Sequence, residues 1–121
     1  MYNEIKNCIN RKDLYIMEKY AWYATVNPGC LDEYRRRHDE IWPELVELLK
    51  KAGISNYTIW TNGNFLFGYY ECEYGRDFAA KTQAGSEVVA KWNEYMKDVM
   101  TMPLDPETGA QPKLNCVFTL D

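Results

Sequence analysis

The stretch around Asn62 and Gly63 constrains the fold of this chain more than any other. The runs NYTIWT and NFLFGYYECEY flank this pair and are rich in apolar, β-branched and aromatic residues. An Asn-Gly dipeptide between two such runs is the strongest short-range signal for a β-hairpin. The sequence therefore predicts two antiparallel strands joined by a tight turn at this point.

The segment before the hairpin predicts a strand followed by a helix. YAWYATV, residues 20–26, has the β-branched and aromatic content of a strand. We expect Asn27 to cap the helix and Pro28 to take its first position. Pro43 should kink the helix or divide it in two, because proline lacks the backbone donor that a helix interior needs. Gly53 is the expected C-terminal cap.

The segment after the hairpin predicts two helices followed by a strand. RDFAAKTQAG predicts a short helix that ends near Gly85, and Ser86 is placed to cap a longer helix that reaches about Met100. KLNCVFTL predicts a fourth strand. Strand, helix, strand, strand, helix, strand is the ferredoxin-like order βαββαβ, an α+β fold with an antiparallel sheet and helices on one face.

Both faces of the predicted sheet are apolar. Phe65, Phe67 and Tyr69 alternate with Leu66, Gly68 and Tyr70 along one strand. Helices of this fold cover one face only, so the other face needs a second cover. A second copy of the chain is the simplest cover, and we therefore expect a homodimer.

Composition excludes several classes of protein. The 121 residues suit a single domain, and 14 Lys plus Arg against 18 Asp plus Glu give a net charge of −4. That balance argues against a nucleic-acid partner. The four cysteines form no Cys-x-x-Cys pair, and one histidine cannot complete the usual zinc clusters, so we expect no metal. We find no secretory signal and no run of transmembrane length, which predicts a cytoplasmic protein without a membrane partner.

His38 is the only histidine of the chain and lies in YRRRHDEIWPELVELL. It follows Tyr34 by four residues and precedes Ile41 by three, which places it on the apolar stripe of the predicted helix. A histidine in that position is either a core residue or a general acid or base, whose ordinary pKa suits neutral pH. The pattern of residues alone leaves both interpretations open.

Two longer stretches resemble a known family. NPGCLDEYRRRHDEIWPELVELLKKAGISNYTIW and KWNEYMKDVM closely resemble the L-rhamnose mutarotase family, and the similarity extends over residues 17–121. We therefore expect an N-terminal extension at residues 1–16 and a mutarotase domain at residues 17–121. The resemblance implies a cofactor-free isomerase that interconverts the α and β anomers of a free 6-deoxy aldose. It also implies a dimeric α/β barrel.

The resemblance also implies roles for individual residues. His38 matches the family's general acid, Tyr34 and Tyr57 match its sugar-binding tyrosines, and Trp92 matches the first residue of a sugar-contacting pair. The family has a second tryptophan in that pair, whereas this chain has Asn93, which we place at the pocket rim.

The second acid–base group stays open. Asp98, a tyrosine or a bound water could serve, and Asp98 is equally well explained as an exposed carboxylate on a helix.

Three alternative functions are compatible with the residues. One is a mutarotase for another sugar, such as L-fucose. Another is a non-catalytic domain that binds a small ligand on the same dimeric scaffold; only a catalyst would accelerate exchange between anomers. A haem- or oxygen-handling enzyme is the weakest alternative, because its axial ligand would have to be the one histidine beside an arginine run.

Overall fold

The computed structural model describes residues 16–107 and 111–121. Its strands are β1 (Glu18–Val26), β2 (Ile54–Asn62), β3 (Phe65–Cys72) and β4 (Met100–Thr101). Its helices are α1 (Leu31–Asp39), α2 (Pro43–Lys51), α3 (Arg76–Ala84) and α4 (Glu87–Met96). The predicted extension lies almost entirely outside the described residues, so its boundary stays a prediction.

The strands form one sheet in the order β2-β3-β1-β4. β1 pairs antiparallel with β3 and β4, and β2 pairs antiparallel with β3. This is the ferredoxin-like arrangement with helices on one face, and the α+β prediction is confirmed. The sheet of the single chain is open, so the dimeric barrel stays a prediction.

The predicted hairpin is present, with its turn one residue later than the Asn-Gly signal suggested. Asn62 pairs with Phe65, which leaves Gly63 and Asn64 as the two central residues. Gly63 has φ +61°, whereas Asn64 is not in the left-handed region. Glycine at the first central position alone is the pattern of a type II′ turn, whose twist matches that of the paired strands.

The connection from β1 to α1 differs from the prediction. The helix begins at Leu31, and residues 27–30 form a tight turn in which Cys30 N donates to Asn27 O at 3.0 Å. Pro28 and Gly29, with φ +76°, take the second and third positions, as in a type II turn. The prediction that Asn27 and Pro28 start the helix is wrong, because Pro-Gly favours this turn over a helical first turn.

Pro43 divides the helical segment, as predicted. α1 ends at Asp39, and α2 starts with Pro43 as its first residue, where the missing N–H costs nothing. Gly53 follows α2 with φ +79°, and its N–H bonds to Lys50 O at 3.0 Å. The predicted glycine at the C-terminus of this helix is confirmed.

The second helical pair is confirmed at its start and corrected at its end. The Ser86 side chain accepts a hydrogen bond from Val89 N at 3.3 Å, which caps α4. However, α4 ends at Met96 rather than near Met100, because Met100 pairs with Val26 as part of β4. The chain leaves the helix so that this edge of β1 gains a partner.

The fourth strand is also corrected. We predicted it in KLNCVFTL, residues 113–120, whereas the structure places β4 at Met100–Thr101. Lys113 forms only an isolated bridge with Trp22, and Leu114 N donates to Ala21 O at 2.7 Å. The segment thus meets β1 at one point beyond β4. It does not continue as a strand, because none of the other described residues forms a ladder with the residues that follow.

The two faces of the sheet differ in cover. The helix-covered face contributes Trp22, Ala24, Leu66, Tyr70 and Cys72 to the buried core. We call the opposite surface the open face; it carries Tyr23, Trp60, Phe65, Phe67 and Tyr69. Trp60 is 67% exposed there. The predicted apolar character of both faces is therefore present in the structure.

The described residues contain neither a helix that could span a membrane nor a cluster of potential metal ligands. No helix within residues 16–107 and 111–121 is both long and apolar enough to cross a bilayer. The same residues contain no group of three or more potential metal-ligating side chains of the His, Cys, Asp or Glu type.

Candidate active site around His38

α1 places Tyr34 and His38 on the same side, one helical turn apart. Their rings stack with centroids 4.4 Å apart, and His38 Nδ1 lies 3.0 Å from the Tyr34 carbonyl oxygen. A carbonyl oxygen can only accept, so Nδ1 carries the proton and donates. This bond fixes the ring and leaves Nε2 as the nitrogen available to a ligand.

α4 supplies the next ring. Trp92 is half-buried and meets His38 edge to face, with centroids 5.4 Å apart and planes at 87°. Trp42, the residue before α2, meets Trp92 in the same manner at 5.1 Å. The imidazole therefore lies between Tyr34 and Trp92, and Trp42 packs against Trp92.

A β-bulge in β2 directs Tyr57 toward this site. Ser55 pairs with Glu71 and Thr58 with Tyr69, so two residues of β2 lie opposite one residue of β3. Asn56 absorbs the extra residue with φ +49°. The bulge turns Tyr57 onto the helix-covered face, as bulges commonly re-aim a side chain next to a site.

Tyr57 is partly exposed as a residue, but its hydroxyl group is buried. The whole residue is 39% exposed, but its ring packs on Tyr70 at 4.9 Å and its hydroxyl accepts from Trp22 Nε1 at 3.1 Å. Burial raises the pKa of the Tyr57 hydroxyl, and the Trp22 bond opposes that effect in part. The hydroxyl is therefore neutral at physiological pH and acts as a hydrogen-bonding group.

These side chains line one small cavity, which we call the inner cavity. It has a volume of about 100 Å³ and includes all five residues that sequence analysis assigned to catalysis or sugar binding: Tyr34, His38, Tyr57, Trp92 and Asn93. Asn93 is exposed, at the edge of this group, as expected for a rim position. The structure brings these five residues together.

A second, larger cavity adjoins the same residues. It has a volume of about 410 Å³ and shares Tyr34, His38 and Tyr57 with the inner cavity. Arg35 and Asp39 line it, but Trp92 and Asn93 do not. The five assigned residues converge at the inner cavity, which is the candidate site. The larger cavity shares three of them and has an ordinary size for a small-molecule pocket.

The electrostatic surroundings favour a neutral imidazole. Burial lowers the pKa of His38, whereas the bond to Tyr34 O and the charge of Asp39 raise it, with burial the larger effect. Arg37 contributes nothing here because its guanidinium turns away, to Glu33 at 2.7 Å and Asp98 at 2.8 Å. A neutral His38 with Nδ1 protonated presents a basic Nε2 to the cavity.

Asp98 is the one predicted residue that the structure does not bring to the site. It lines neither cavity, its side chain is 71% exposed, and its two oxygens accept from both terminal nitrogens of Arg37. That pairing lowers the pKa of Asp98. Asp98 therefore links the end of α4 to α1, which matches the alternative of a surface carboxylate.

Several lining residues of the inner cavity were missed by sequence analysis. They are Trp22, Tyr70, Gln83 and Gln111. Trp22 and Tyr70 lie at alternate positions of β1 and β3 that face the core. Alternation along the strands could have identified them once the pairing register was known. Gln83 and Gln111 lie far apart in sequence, and only the packing of α3 and of the C-terminal segment brings them here.

Comparison with known proteins gives one consistent result. A sequence profile described as L-rhamnose mutarotase matches residues 19–120. An L-rhamnose mutarotase of Sinorhizobium fredii is 45% identical over 106 residues, covering 86% of this chain and 99% of that protein. One of Rhizobium johnstonii is 46% identical over 104 residues, with 84% and 95% covered.

A solved structure agrees. The crystal structure of an L-rhamnose mutarotase from Formosa agariphila superposes with a TM-score of 0.69 at 33% sequence identity. The similarity covers 86% of this chain and 99% of that one.

Proposed function

Because the chain belongs to the L-rhamnose mutarotase family, we propose that it is an isomerase that interconverts the α and β anomers of free L-rhamnose. One observation of the site carries this proposal. His38, the only histidine, stands at an aromatic cavity with Nδ1 bonded to a carbonyl and Nε2 available to a ligand. A small sugar with apolar C–H faces and hydroxyl edges suits such walls.

The reaction requires two proton movements. Mutarotation breaks the bond from the anomeric carbon to the ring oxygen, lets the aldehyde turn, and closes the ring on its other face. Opening removes the proton of the anomeric hydroxyl and adds one to the ring oxygen. A positioned acid or base contributes about 10²–10⁴-fold to such a step.

We assign the proton movement at the anomeric hydroxyl to His38. Its lowered pKa leaves Nε2 unprotonated, so it first accepts the anomeric proton and becomes an imidazolium ion. The imidazolium then returns that proton as an acid when the ring closes. The lowered pKa thus makes His38 a base during ring opening, whereas the resemblance implied a general acid, and His38 donates a proton only when the ring closes. The Tyr57 hydroxyl or a water supplies the ring-oxygen proton during opening and takes a proton back from the same oxygen when the ring closes.

The remaining residues bind the sugar. We propose that Trp92 packs on the apolar face of the ring and that Tyr34 and Tyr57 hydrogen-bond its hydroxyl groups. Asn93, at the rim, can both donate to and accept from a hydroxyl. These assignments rest on the shared cavity and on the match of each residue to the family's pattern.

Replacement of His38 tests the function directly. His38→Ala should lower the exchange rate between anomers by about 10²–10⁴-fold while leaving the fold intact. Saturation-transfer NMR on free L-rhamnose measures the exchange, and thermal unfolding measures the fold. Exchange near the wild-type rate in a folded His38→Ala protein would refute the assignment, whereas an unfolded protein would indicate a core histidine.

The same assay separates the alternatives. A panel of L-rhamnose, L-fucose and other free aldoses shows which sugar exchanges fastest with the wild-type protein. A protein that binds a sugar but leaves its spontaneous exchange unchanged would be a binding domain. The family match, and a His38 that lines the inner cavity with Nε2 outside the bond to Tyr34 O, favour the enzyme.

We further propose that the protein is a homodimer that acts in the cytoplasm. The open face presents five aromatic side chains, and Phe65 stacks with Tyr23 at 6.2 Å and with Phe67 at 5.1 Å. Exposed apolar patches of this kind are typical of interaction sites. The C-terminal segment adds exposed apolar residues, Val117, Phe118 and Leu120. A second copy would cover both.

A further inference from the structure

We propose that Trp22 is a positioning residue that directs the hydroxyl proton of Tyr57 toward the bound sugar, and that Gly68 exists to make room for it. Trp22 does not touch the reacting atoms in this proposal; it acts through Tyr57. The inference deepens the proposed function, because it concerns the same inner cavity and takes a monosaccharide as its ligand.

The first step is the direction of one hydrogen bond. The indole N–H of Trp22 can only donate, and it lies 3.1 Å from the Tyr57 hydroxyl oxygen. That oxygen must therefore accept, and its own proton must point elsewhere. A phenolic O–H prefers the plane of its ring and has two main orientations there. Trp22 occupies one of them, so the proton takes the other.

The second step is that the Tyr57 ring itself is held. It packs on Tyr70 at 4.9 Å, and Tyr70 stacks on Tyr20 at 4.9 Å. Rotation about the bond from ring to oxygen is then the main freedom left to the hydroxyl. Trp22 removes that freedom, because it is itself only 4% exposed and packed in the core.

The third step concerns Gly68, which lies opposite Trp22 in the β1–β3 pairing. A methyl group added at Gly68 would overlap the Trp22 indole at Cε2, Nε1 and Cζ2. Gly68 does not have a positive φ, so the backbone itself does not require glycine there. Glycine is needed for space: without it the indole could not lie at this depth, within reach of Tyr57.

Each hydroxyl of the sugar can donate or accept a hydrogen bond, and the ring oxygen can only accept, so a freely rotating phenol could meet the sugar as donor or as acceptor. A Tyr57 hydroxyl whose proton is directed away from Trp22 is preset as a donor to a ring or hydroxyl oxygen. A hydroxyl that is already oriented loses less rotational freedom when the sugar binds. Loss of the bond from Trp22 should therefore change KM more than kcat.

The kinetic test replaces the indole by a ring without the N–H. Trp22→Phe should raise KM for L-rhamnose by about 2- to 13-fold, the value of one hydrogen bond, with a smaller change in kcat. Because Trp22 acts through Tyr57, the double variant Trp22→Phe/Tyr57→Phe should have the KM of Tyr57→Phe alone. A further rise in the double variant, or no change in Trp22→Phe, would overturn the proposal.

A spectroscopic test leaves Trp22 in place and does not depend on activity. The indole N–H signal of Trp22 in a proton–nitrogen NMR spectrum should move in Tyr57→Phe, whereas that of Trp60, on the open face, should not. The Trp22 signal should also shift when L-rhamnose is added to the wild-type protein. An unmoved Trp22 signal in Tyr57→Phe would show that the bond is absent in solution and overturn the proposal. Absence of anomer exchange would instead refute the proposed function.

A compensation test isolates the role of Gly68. Gly68→Ala should raise KM and lower the unfolding temperature, because the indole is displaced. Adding Trp22→Phe to Gly68→Ala should restore the unfolding temperature, since the smaller ring leaves space, but not KM. Restoration of both, or of neither, would contradict the assignment of Gly68 as the space for Trp22.

Discussion

A single backbone carbonyl decides what His38 can do. Tyr34 O accepts from Nδ1 at 3.0 Å, so the tautomer is set by the helix and Nε2 faces the cavity without a proton. Burial lowers the pKa of His38 and keeps that nitrogen unprotonated at neutral pH. The chemistry of the site therefore depends on where α1 puts one residue relative to the residue one turn before it.

The pH dependence of the exchange follows from the sign of this shift. Since the pKa of His38 lies below its ordinary value of 6.5, kcat/KM should be level above pH 6.5 and fall only as pH drops through the lowered pKa. A pH–rate profile by NMR exchange measures it. A rate that falls as pH rises through this range would mean that the free enzyme must be protonated.

The same shift links His38 to stability. The unfolded chain binds a proton at this residue at a higher pH than the folded chain does, so stability should fall as pH drops below 6.5. His38→Asn removes this contribution and is the control. Its denaturation midpoint should lose less between pH 7 and pH 5 than that of the wild type.

Among the assigned site residues, Asn93 is the one that departs from the pattern that the family resemblance implies. It is exposed and lines the rim of the inner cavity, next to Trp92. Asn93→Trp exchanges an amide for a flat apolar wall and should change the ratio of exchange rates for L-rhamnose and L-fucose by about 2- to 13-fold, the value of one hydrogen bond. Both sugars are compared under identical conditions. An unchanged ratio would place Asn93 outside the sugar contacts.

At the scale of elements, the β-bulge in β2 orients Tyr57 toward the inner cavity. Asn56 takes a left-handed conformation, and its amide donates to Glu71 at 2.7 Å, to which the Tyr69 hydroxyl also donates at 2.8 Å. Glu71 thereby holds the bulge from the open face while Tyr57 points to the other. Asparagine tolerates this backbone better than most residues.

Replacement of Asn56 tests the bulge. Asn56→Val places a β-branched side chain at positive φ and should lower the free energy of unfolding by about 1–3 kcal/mol and weaken sugar binding. Asn56→Gly keeps the backbone accessible and loses only the bond to Glu71, so it should be milder on both. Chemical denaturation and KM measure the two effects. Equal losses in both variants would mean that the side chain, not the backbone, holds the bulge.

At the scale of the whole molecule, we expect the open face to govern assembly. Sedimentation at micromolar concentration should show a dimer, because this face exposes Trp60, Phe65 and Phe67. Phe67→Lys should shift the protein toward monomer. Phe78→Lys, the same change on α3, should not, although Phe78 is exposed to a similar degree, 43% against 38%. A monomeric wild-type protein would contradict the expected second copy.

The sequence alone determined the features that depend on residues close together in the chain. The hairpin at Asn62-Gly63, the division at Pro43, the caps at Gly53 and Ser86, and the βαββαβ order all follow from turn residues and apolar periodicity. The family's motif also identified five residues that converge on the inner cavity, because residue types at a fixed spacing can be recognised in the sequence alone.

Tertiary structure decided the rest, because it depends on partners distant in sequence. The short β4 at Met100 forms where β1 offers an unpaired edge, so the apolar run at 113–120 could not predict it. Asp98 pairs with Arg37, 61 positions away in the chain, and lies outside the site. Trp22 reaches Tyr57 only because Gly68 lies opposite it in the sheet. Pairing register and burial are properties of several segments together, and no single segment carries them.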